Sequence, residues 1–154
     1  MTPPRNLLFV CTGNLCRSPA AETMFNTLAQ ERGLDWRAES AGLSAVEGEP
    51  VPDNAQIALE EVGFYAGKHR ARRLQSKMVE RADLVLTMTP RQQEKLATLR
   101  GDLAEGKVYT LLEYLREEMP GEISDPHGYP LSMHRASVRQ IHGYVERLVK
   151  HLGR

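Results

Sequence analysis

Short apolar runs alternate along this chain with longer segments whose apolar positions repeat at helical spacing. The first run, from Leu7 to Val10, is unbroken and predicts a strand buried on both faces. Ser18 and Pro19 then suggest the N-cap and the first residue of a helix, and Gly33 suggests its end. The apolar stripe that predicts this first helix consists of Ala21, Met24, Phe25 and Leu28.

Later apolar runs predict three more strands. They cover 36–41, 82–88 and 107–112, and a loop covers 43–52. Helical patterns separate these runs, and strands that alternate with helices are typical of a parallel sheet. We therefore predict a three-layer α/β fold, in which a four-stranded parallel sheet carries helices on both faces, as one domain over residues 1–154.

Polar residues that can cap helices mark where three further helices begin. Asp53 with Gln56, and Thr89 with Gln92, have the spacing of capping boxes, and Ser132 can open the last helix. Glycines end the first two of these helices, and an apolar stripe identifies the last. These residues are Gly63 and Gly101, and Val138, Ile141, Val145, Leu148 and Leu152.

Length and charge then narrow the class of protein. The 154 residues fit one domain, and twenty basic residues balance twenty acidic ones, which argues against a nucleic-acid-binding protein. No apolar run approaches the roughly 20 residues of a membrane helix, and the first residues lack the apolar segment of a signal peptide. We expect a cytoplasmic protein with neither nucleic acid nor membrane as a partner.

The turn between the first strand and the first helix is the first candidate site, because ligands of such folds bind beyond the carboxyl ends of the strands. It reads V-C-T-G-N-L-C-R-S-P over 10–19. Its backbone N–H groups and the helix dipole suit it to phosphate. Arg17 offers a planar fork of donors for phosphate oxygens. Cys11 lies at the floor, where a thiolate is favoured and can attack phosphorus.

Other interpretations of the cysteines are weaker. An arginine six residues after a cysteine arises readily by chance in an arginine-rich chain, and a buried cysteine at a strand end is common packing. The complete string from Val10 to Pro19 is harder to obtain from packing alone. A zinc site is not indicated, because no C-x2-C pair exists and the histidines begin only at His69.

At these residues the chain resembles the low-molecular-weight protein tyrosine phosphatases. Residues 10–19 match the family loop V-C-x-G-N-x-C-R-S-P at every fixed position, and the resemblance covers about residues 5–152. The family pattern implies that Asn14 and Ser40 hold the loop rather than react. The other similar segments are Glu39-Ser40-Ala41-Gly42, His69 with Ala71 and Leu74, the strand 82–88, and Asp125-Pro126.

The resemblance also implies reactive roles. Cys11 would attack phosphorus to form a phosphocysteine, Arg17 would hold the phosphate oxygens, and Asp125 would protonate the leaving oxygen and later activate water. Ser18 would hydrogen-bond the Cys11 sulfur, and Cys16 could form a protective disulfide with Cys11. Neither a metal nor another cofactor is implied. The residues expected to bind substrate are Thr12, Gly13, Asn14, Leu15, Cys16, Ser18 and His127.

Two positions bear on which phosphorylated residue is the substrate. Asp125-Pro126 continues as His127-Gly128, which resembles the D-P-F-G form of a bacterial branch that includes protein arginine phosphatases. Those arginine phosphatases carry threonine at the position of Leu15, where tyrosine phosphatases carry an apolar residue. An aryl ring gains from an apolar wall, whereas a guanidinium loses hydration against it. We therefore expect phosphotyrosine, with phosphoarginine as the alternative.

Two other classes are less favoured. Arsenate reductases of this fold need later cysteines to relay a disulfide, and this chain has none after Cys16. A phosphocysteine carrier of sugar transport needs no general acid, so the pair of Arg17 and Asp125 argues against that class. The expected partner is a phosphorylated protein or peptide, with inorganic phosphate as the product, and the expected assembly is a monomer or a weak dimer.

Overall fold

The computed structural model describes residues 3–117 and 122–154, which contain four strands and six helices. The strands are β1 (Arg5–Cys11), β2 (Trp36–Gly42), β3 (Leu84–Thr87) and β4 (Val108–Thr110). The helices are α1 (Arg17–Glu31), α2 (Asp53–Glu61), α3 (Ser76–Arg81), α4 (Pro90–Ala104), α5 (Leu111–Tyr114) and α6 (Leu131–Leu152). None of the described helices has both the length and the apolar character that crossing a bilayer requires.

The four strands form one parallel sheet in the order β2-β1-β3-β4, which confirms the predicted fold class. Cys11, the last residue of β1, lies opposite Gly42 of β2, and Val10 lies opposite Thr87 of β3. The chain leaves β1 toward β2 on one side and returns to β3 on the other. The carboxyl end of β1 is therefore the point where the strand order reverses, and a ligand site is expected there.

Apolar side chains alternate between the two faces of β1 and begin two separate cores. Leu7 and Phe9 belong to the larger core, which is formed mainly with α1, α2 and α6. Leu8 and Val10 belong to the smaller core, which α3 and α4 cover. All four side chains are fully buried. The unbroken apolar run at 7–10 therefore corresponds to a central strand with a helical layer on each face, as predicted.

Three predicted helix starts are wrong by one or two residues. Arg17 begins α1 after Cys16, so Ser18 and Pro19 lie inside the helix rather than at its N-cap and first position. The other two starts follow a proline: Pro52 precedes α2 and Pro130 precedes α6, with φ of −59° at each. Proline holds the extended backbone that an N-cap needs, so neither Asp53 nor Ser132 is required as a cap. Gln56 donates to the carbonyl of Val51 rather than closing a box.

The Thr89–Gln92 capping box is confirmed, with both of its reciprocal hydrogen bonds present. However, α4 continues past Gly101 to Ala104, across a break at Arg100 where φ is −142°. The predicted strand 107–112 is shorter, because Thr110 caps α5 and its side chain accepts from the Glu113 N–H. Sequence patterns gave no sign of the short helix α3.

Candidate active site

The candidate site lies in the turn from β1 to α1. Cys16 is the N-cap of α1 but makes no side-chain hydrogen bond to the helix. The first N–H groups of α1 therefore have no capping side chain, and an anion can accept from them. Such an anion would lie over Cys11, whose side chain is 2% exposed at the floor of the turn.

Two polar groups lie within hydrogen-bond distance of the Cys11 sulfur. The hydroxyl of Ser18 lies 2.8 Å from Sγ, and the backbone N–H of Asn14 donates to Sγ across 3.2 Å. Because Ser18 is the second residue of α1, it reaches back to the end of β1 instead of capping its own helix. Hydrogen bonds of this kind favour a thiolate, and they also favour its departure when a covalent bond to sulfur breaks.

Asn14 fixes the shape of the turn. Its φ of 56° is left-handed, a conformation that asparagine tolerates better than most side chains. Its side-chain amide donates to Ser18 Oγ and to Ser40 Oγ, each across 2.9 Å. Its side-chain oxygen accepts from the backbone N–H of Arg72 at 3.0 Å. Every polar atom of this fully buried side chain is used, so the turn is held in one conformation before any ligand binds.

A further layer supports Asn14 from behind. The hydroxyl of Ser40 donates to Glu22 across 2.8 Å, and the ring nitrogen Nε2 of His69 lies 3.1 Å from the Asn14 carbonyl oxygen. Burial raises the pKa of the Glu22 carboxyl, although its bond from Ser40 and the charge of Arg72 act in the opposite direction. Burial lowers the pKa of His69, with smaller contributions of both signs. A neutral His69 must therefore donate from Nε2, because the carbonyl oxygen can only accept.

Arg17 and Asp125 meet at the mouth of the turn. One guanidinium nitrogen of Arg17 donates to the Ile123 carbonyl at 3.0 Å, and another lies 3.5 Å from a carboxylate oxygen of Asp125. The Arg17 Nε is buried and has no hydrogen-bond partner among the described residues. An unpaired buried donor is costly, and a bound phosphate oxygen would satisfy it. Asp125 is half exposed, with its side chain 49% accessible.

A cavity of about 230 Å³ opens above Cys11. All of the predicted site residues line it except Asn14 and Ser18, which are fully buried behind the turn. Three lining residues were not predicted from the sequence, because they belong to the loop after β2 and carry no motif: Ser44, Val46 and Glu49. The supporting residues Glu22 and Arg72 were also missed, since nothing local in the sequence links them to residues 10–19.

The two cysteines of the turn have different surroundings. Both are buried and free. Burial, with smaller contributions from the nearby Asp125 and Cys11, raises the pKa of Cys16 to about 12, although the charge of Arg17 acts in the opposite direction. Burial therefore favours the neutral thiol of Cys16, whereas the Cys11 sulfur accepts from the Asn14 N–H and lies within hydrogen-bond distance of the Ser18 hydroxyl. No cluster of three or more metal-binding side chains occurs within 3–117 and 122–154.

A buried cysteine beneath an anion-binding turn, with an arginine and an exposed carboxylate at the mouth, defines a cysteine-dependent hydrolase of phosphate esters. Comparison of the sequence with known families identifies which one. The family model described as low molecular weight phosphotyrosine protein phosphatase matches residues 6–154, and the chain belongs to that family.

Relatives in this family carry two different names. The protein-arginine-phosphatase of Bacillus subtilis is 33% identical over 148 residues, 96% of each chain. The low molecular weight protein-tyrosine-phosphatase PtpB of Staphylococcus haemolyticus is 34% identical, over 88% of this chain and 91% of its own. The structure of a low molecular weight protein tyrosine phosphatase from T. tengcongensis superimposes with a TM-score of 0.89 at 36% identity, covering 96% of this chain and 99% of that one. The fold and the family are therefore shared with proteins named for either phosphorylated residue.

Proposed function

We propose that this protein hydrolyses phosphotyrosine in proteins or peptides through a phosphocysteine intermediate, with Cys11 as the nucleophile. The observation that carries the proposal is the buried sulfur of Cys11, which faces a cavity where the Arg17 Nε has no partner among the described residues. A phosphate group over the turn would meet the N–H groups of α1, the Arg17 guanidinium and the sulfur together.

In the first step the Cys11 thiolate attacks phosphorus, so that an S–P bond forms and the bond from phosphorus to the tyrosine oxygen breaks. Asp125 donates its proton to that leaving oxygen. In the second step water attacks phosphorus, Asp125 takes the proton of the water, and the S–P bond breaks to release inorganic phosphate. The Ser18 hydroxyl, 2.8 Å from the sulfur, stabilises the thiolate as it leaves. Arg17 and the N–H groups stabilise the charge on the phosphate oxygens in both steps.

The aliphatic side chains that line the cavity favour an aromatic leaving group. Leu15 and Val46 line it, and the Val46 side chain is 59% exposed, so both can cover a ring that enters above the phosphate. A ring buried against aliphatic side chains is stabilised by the hydrophobic effect, whereas a guanidinium would lose hydration there without gaining a hydrogen bond.

Phosphoarginine is the second candidate, and one observation favours it. The cavity is also lined by the carboxylate side chains of Glu49 and Asp125, which could receive a guanidinium. Glu49 makes no side-chain ion pair or hydrogen bond to any residue that the structure describes. The relative from Bacillus subtilis named a protein-arginine-phosphatase adds weight to this candidate.

The test is the kcat/KM of the purified protein on two peptides that differ only in carrying phosphotyrosine or phosphoarginine. We expect phosphotyrosine to be preferred by about 10–200-fold, the range that an apolar pocket supplies. The Cys11→Ser variant should keep its fold by circular dichroism and lose turnover of both peptides. Appreciable turnover by Cys11→Ser would reject the nucleophile, and a preference for phosphoarginine would select the second candidate. A cytoplasmic location and a monomeric or weakly dimeric state stay predictions.

A further inference from the structure

A second cavity, of about 430 Å³, adjoins the one over Cys11, and of its lining residues only Arg17 takes part in the chemistry described above. The two cavities share Thr12 and Arg17, so the second begins one residue away from the nucleophile. The first turns of α4 contribute Arg91, Gln92 and Lys95 to its lining. A peptide whose phosphorylated residue occupies the first cavity must therefore pass close to the second.

Arg91 and Lys95 are exposed cations that lie four residues apart on α4, where like charges repel each other. Within the described ranges, neither of them forms an ion pair or a side-chain hydrogen bond. Arg72, by contrast, is paired, since it lies 3.8 Å from carboxylate oxygens of both Glu22 and Glu39. The cavity also contains one carboxylate, Glu122, which pairs with neither cation. Among the described residues, the lining of this cavity therefore carries more positive than negative charge, and Arg91 and Lys95 are free to bind an anionic group.

Gln92 holds this cationic wall in a fixed relation to the catalytic turn. Its side-chain oxygen accepts from the backbone N–H groups of Met88 and Thr89, at 2.9 and 3.1 Å. Its side-chain nitrogen donates to the Thr12 hydroxyl at 3.1 Å. Because Gln92 is buried and all of these bonds are internal, α4 does not need to move when a ligand enters.

We propose that this second cavity is a subsite for an acidic side chain that flanks the phosphorylated residue, with Arg91 and Lys95 as its binding groups. The proposal rests on the proposed function, and it adds a substrate class: phosphopeptides with Asp or Glu close to the phosphorylated position. An extended chain advances roughly 3.3–3.6 Å per residue, so an acidic residue one to three positions away reaches the cavity. Charge attraction at exposed groups is screened by salt, so the preference weakens as ionic strength rises.

The experiment measures kcat/KM on two phosphotyrosine peptides whose three flanking residues on each side are either Glu or Gln, and on phenyl phosphate, which has no flank. For the wild type we expect the Glu peptide to be preferred by about threefold to tenfold at low salt, the range of exposed ion pairs. The double variant Arg91→Gln/Lys95→Gln should lose that preference while its activity on phenyl phosphate stays within about twofold. The matched control Arg139→Gln/Lys150→Gln removes the same charges from exposed positions of α6 and should keep the preference.

Equal kcat/KM on the two peptides in the wild type would overturn the proposal. A preference for the Glu peptide that persists in the Arg91→Gln/Lys95→Gln variant would also overturn it. Equal loss of the preference in the control variant would overturn it too, since the preference would then reflect the net charge of the protein alone. If the double variant does not fold, the wild-type comparison and its dependence on salt still decide. Failure of the proposed function is distinguishable, because it would appear as a lack of activity on phenyl phosphate as well as on both peptides.

Discussion

The same turn contains two buried cysteines, and their neighbours give them different chemistry. The Cys11 sulfur accepts a hydrogen bond from the Asn14 N–H and shares another with the Ser18 hydroxyl. The surroundings of Cys16 disfavour its thiolate, because burial and the nearby carboxylate of Asp125 raise its pKa to about 12. The assignment of the nucleophile thus depends on a few atoms within about 3–4 Å, a distance over which charges and hydrogen bonds act strongly.

Leu15 should decide between the two phosphorylated residues. It lines the cavity from the wall of the turn, so we expect it to contact the leaving group rather than the phosphate. Replacing it by threonine removes apolar contact and adds a hydroxyl, so Leu15→Thr should lower kcat/KM on phosphotyrosine by about tenfold or more and raise it on phosphoarginine. Inhibition by inorganic phosphate should not change, because that ligand does not reach the wall. If Leu15→Thr does not change kcat/KM on phosphotyrosine and on phosphoarginine in opposite directions, Leu15 does not set the specificity.

Asp125 should matter most for substrates whose leaving group is a poor one. Its half-exposed carboxylate lies 3.5 Å from Arg17 at the mouth of the cavity, where a leaving oxygen would emerge. We expect Asp125→Asn to lower kcat on phenyl phosphate by about 10²–10⁴-fold and to lower it much less on an activated nitrophenyl ester. The measurement is kcat across a series of aryl phosphates of increasing leaving-group acidity. An equal loss along the whole series would indicate a structural role for Asp125.

At the scale of helices and strands, periodic patterns predicted the number of strands and their parallel arrangement, but not the helix starts or all strand ends. The predicted strands 82–88 and 107–112 are shorter in the structure, at Leu84–Thr87 and Val108–Thr110. The apolar run at 7–10 and the stripe of α6 each extend over several residues, and the burial that they predict is confirmed except at Leu152, which is only half-buried. A helix cap, by contrast, depends on a single side chain, which can form a tertiary hydrogen bond instead of capping its helix. Ser18 is an example, because its hydroxyl lies beside the Cys11 sulfur. Of the residues that support Asn14, the family resemblance implied Ser40. Arg72 could not be predicted, since it is 58 residues away and only the fold brings it near.

Two glycines should respond in opposite directions to alanine. Gly143 lies inside α6 with no atom within 4 Å of an added Cβ, whereas Gly63 follows α2 with φ of 94°. Gly143→Ala should therefore raise the free energy of unfolding by about 0.5–1 kcal/mol, since alanine favours the helix. Gly63→Ala should lower it by about 1 kcal/mol, because a left-handed residue with a Cβ is strained. Urea unfolding of both variants at one pH checks the pair, and a gain in Gly63→Ala would contradict the conformational argument.

At the scale of the whole molecule, two apolar cores stabilise the fold, and several ionisable groups are buried beside the turn from β1 to α1. Glu22 and His69 lie behind Asn14, and His134 is buried in α6 near the segment that carries Asp125. Buried ionisable groups make stability depend on pH, since their folded and unfolded states bind protons differently. The groups that hold the turn in place therefore also connect the stability of the protein to the proton concentration.

The stability of the protein should increase as the pH rises from 5.0 to 7.5, because of His69 and His134. Burial lowers the pKa of both imidazoles below the ordinary value of 6.5, so below that pH the unfolded chain binds more protons than the folded one. Their contribution is complete above pH 6.5 and is lost as the pH falls through their folded pKa values, at no more than about 1.4 kcal/mol per pH unit for each. Glu22 acts in the opposite sense, because its raised pKa favours the folded state at lower pH.

The free energy of unfolding, measured with urea at several pH values, should rise less steeply with pH for His69→Gln and for His134→Gln than for the wild type. A variant of the exposed His151 should show the same slope as the wild type. Slopes that match the wild type in both buried-histidine variants would mean that other groups cause the pH dependence.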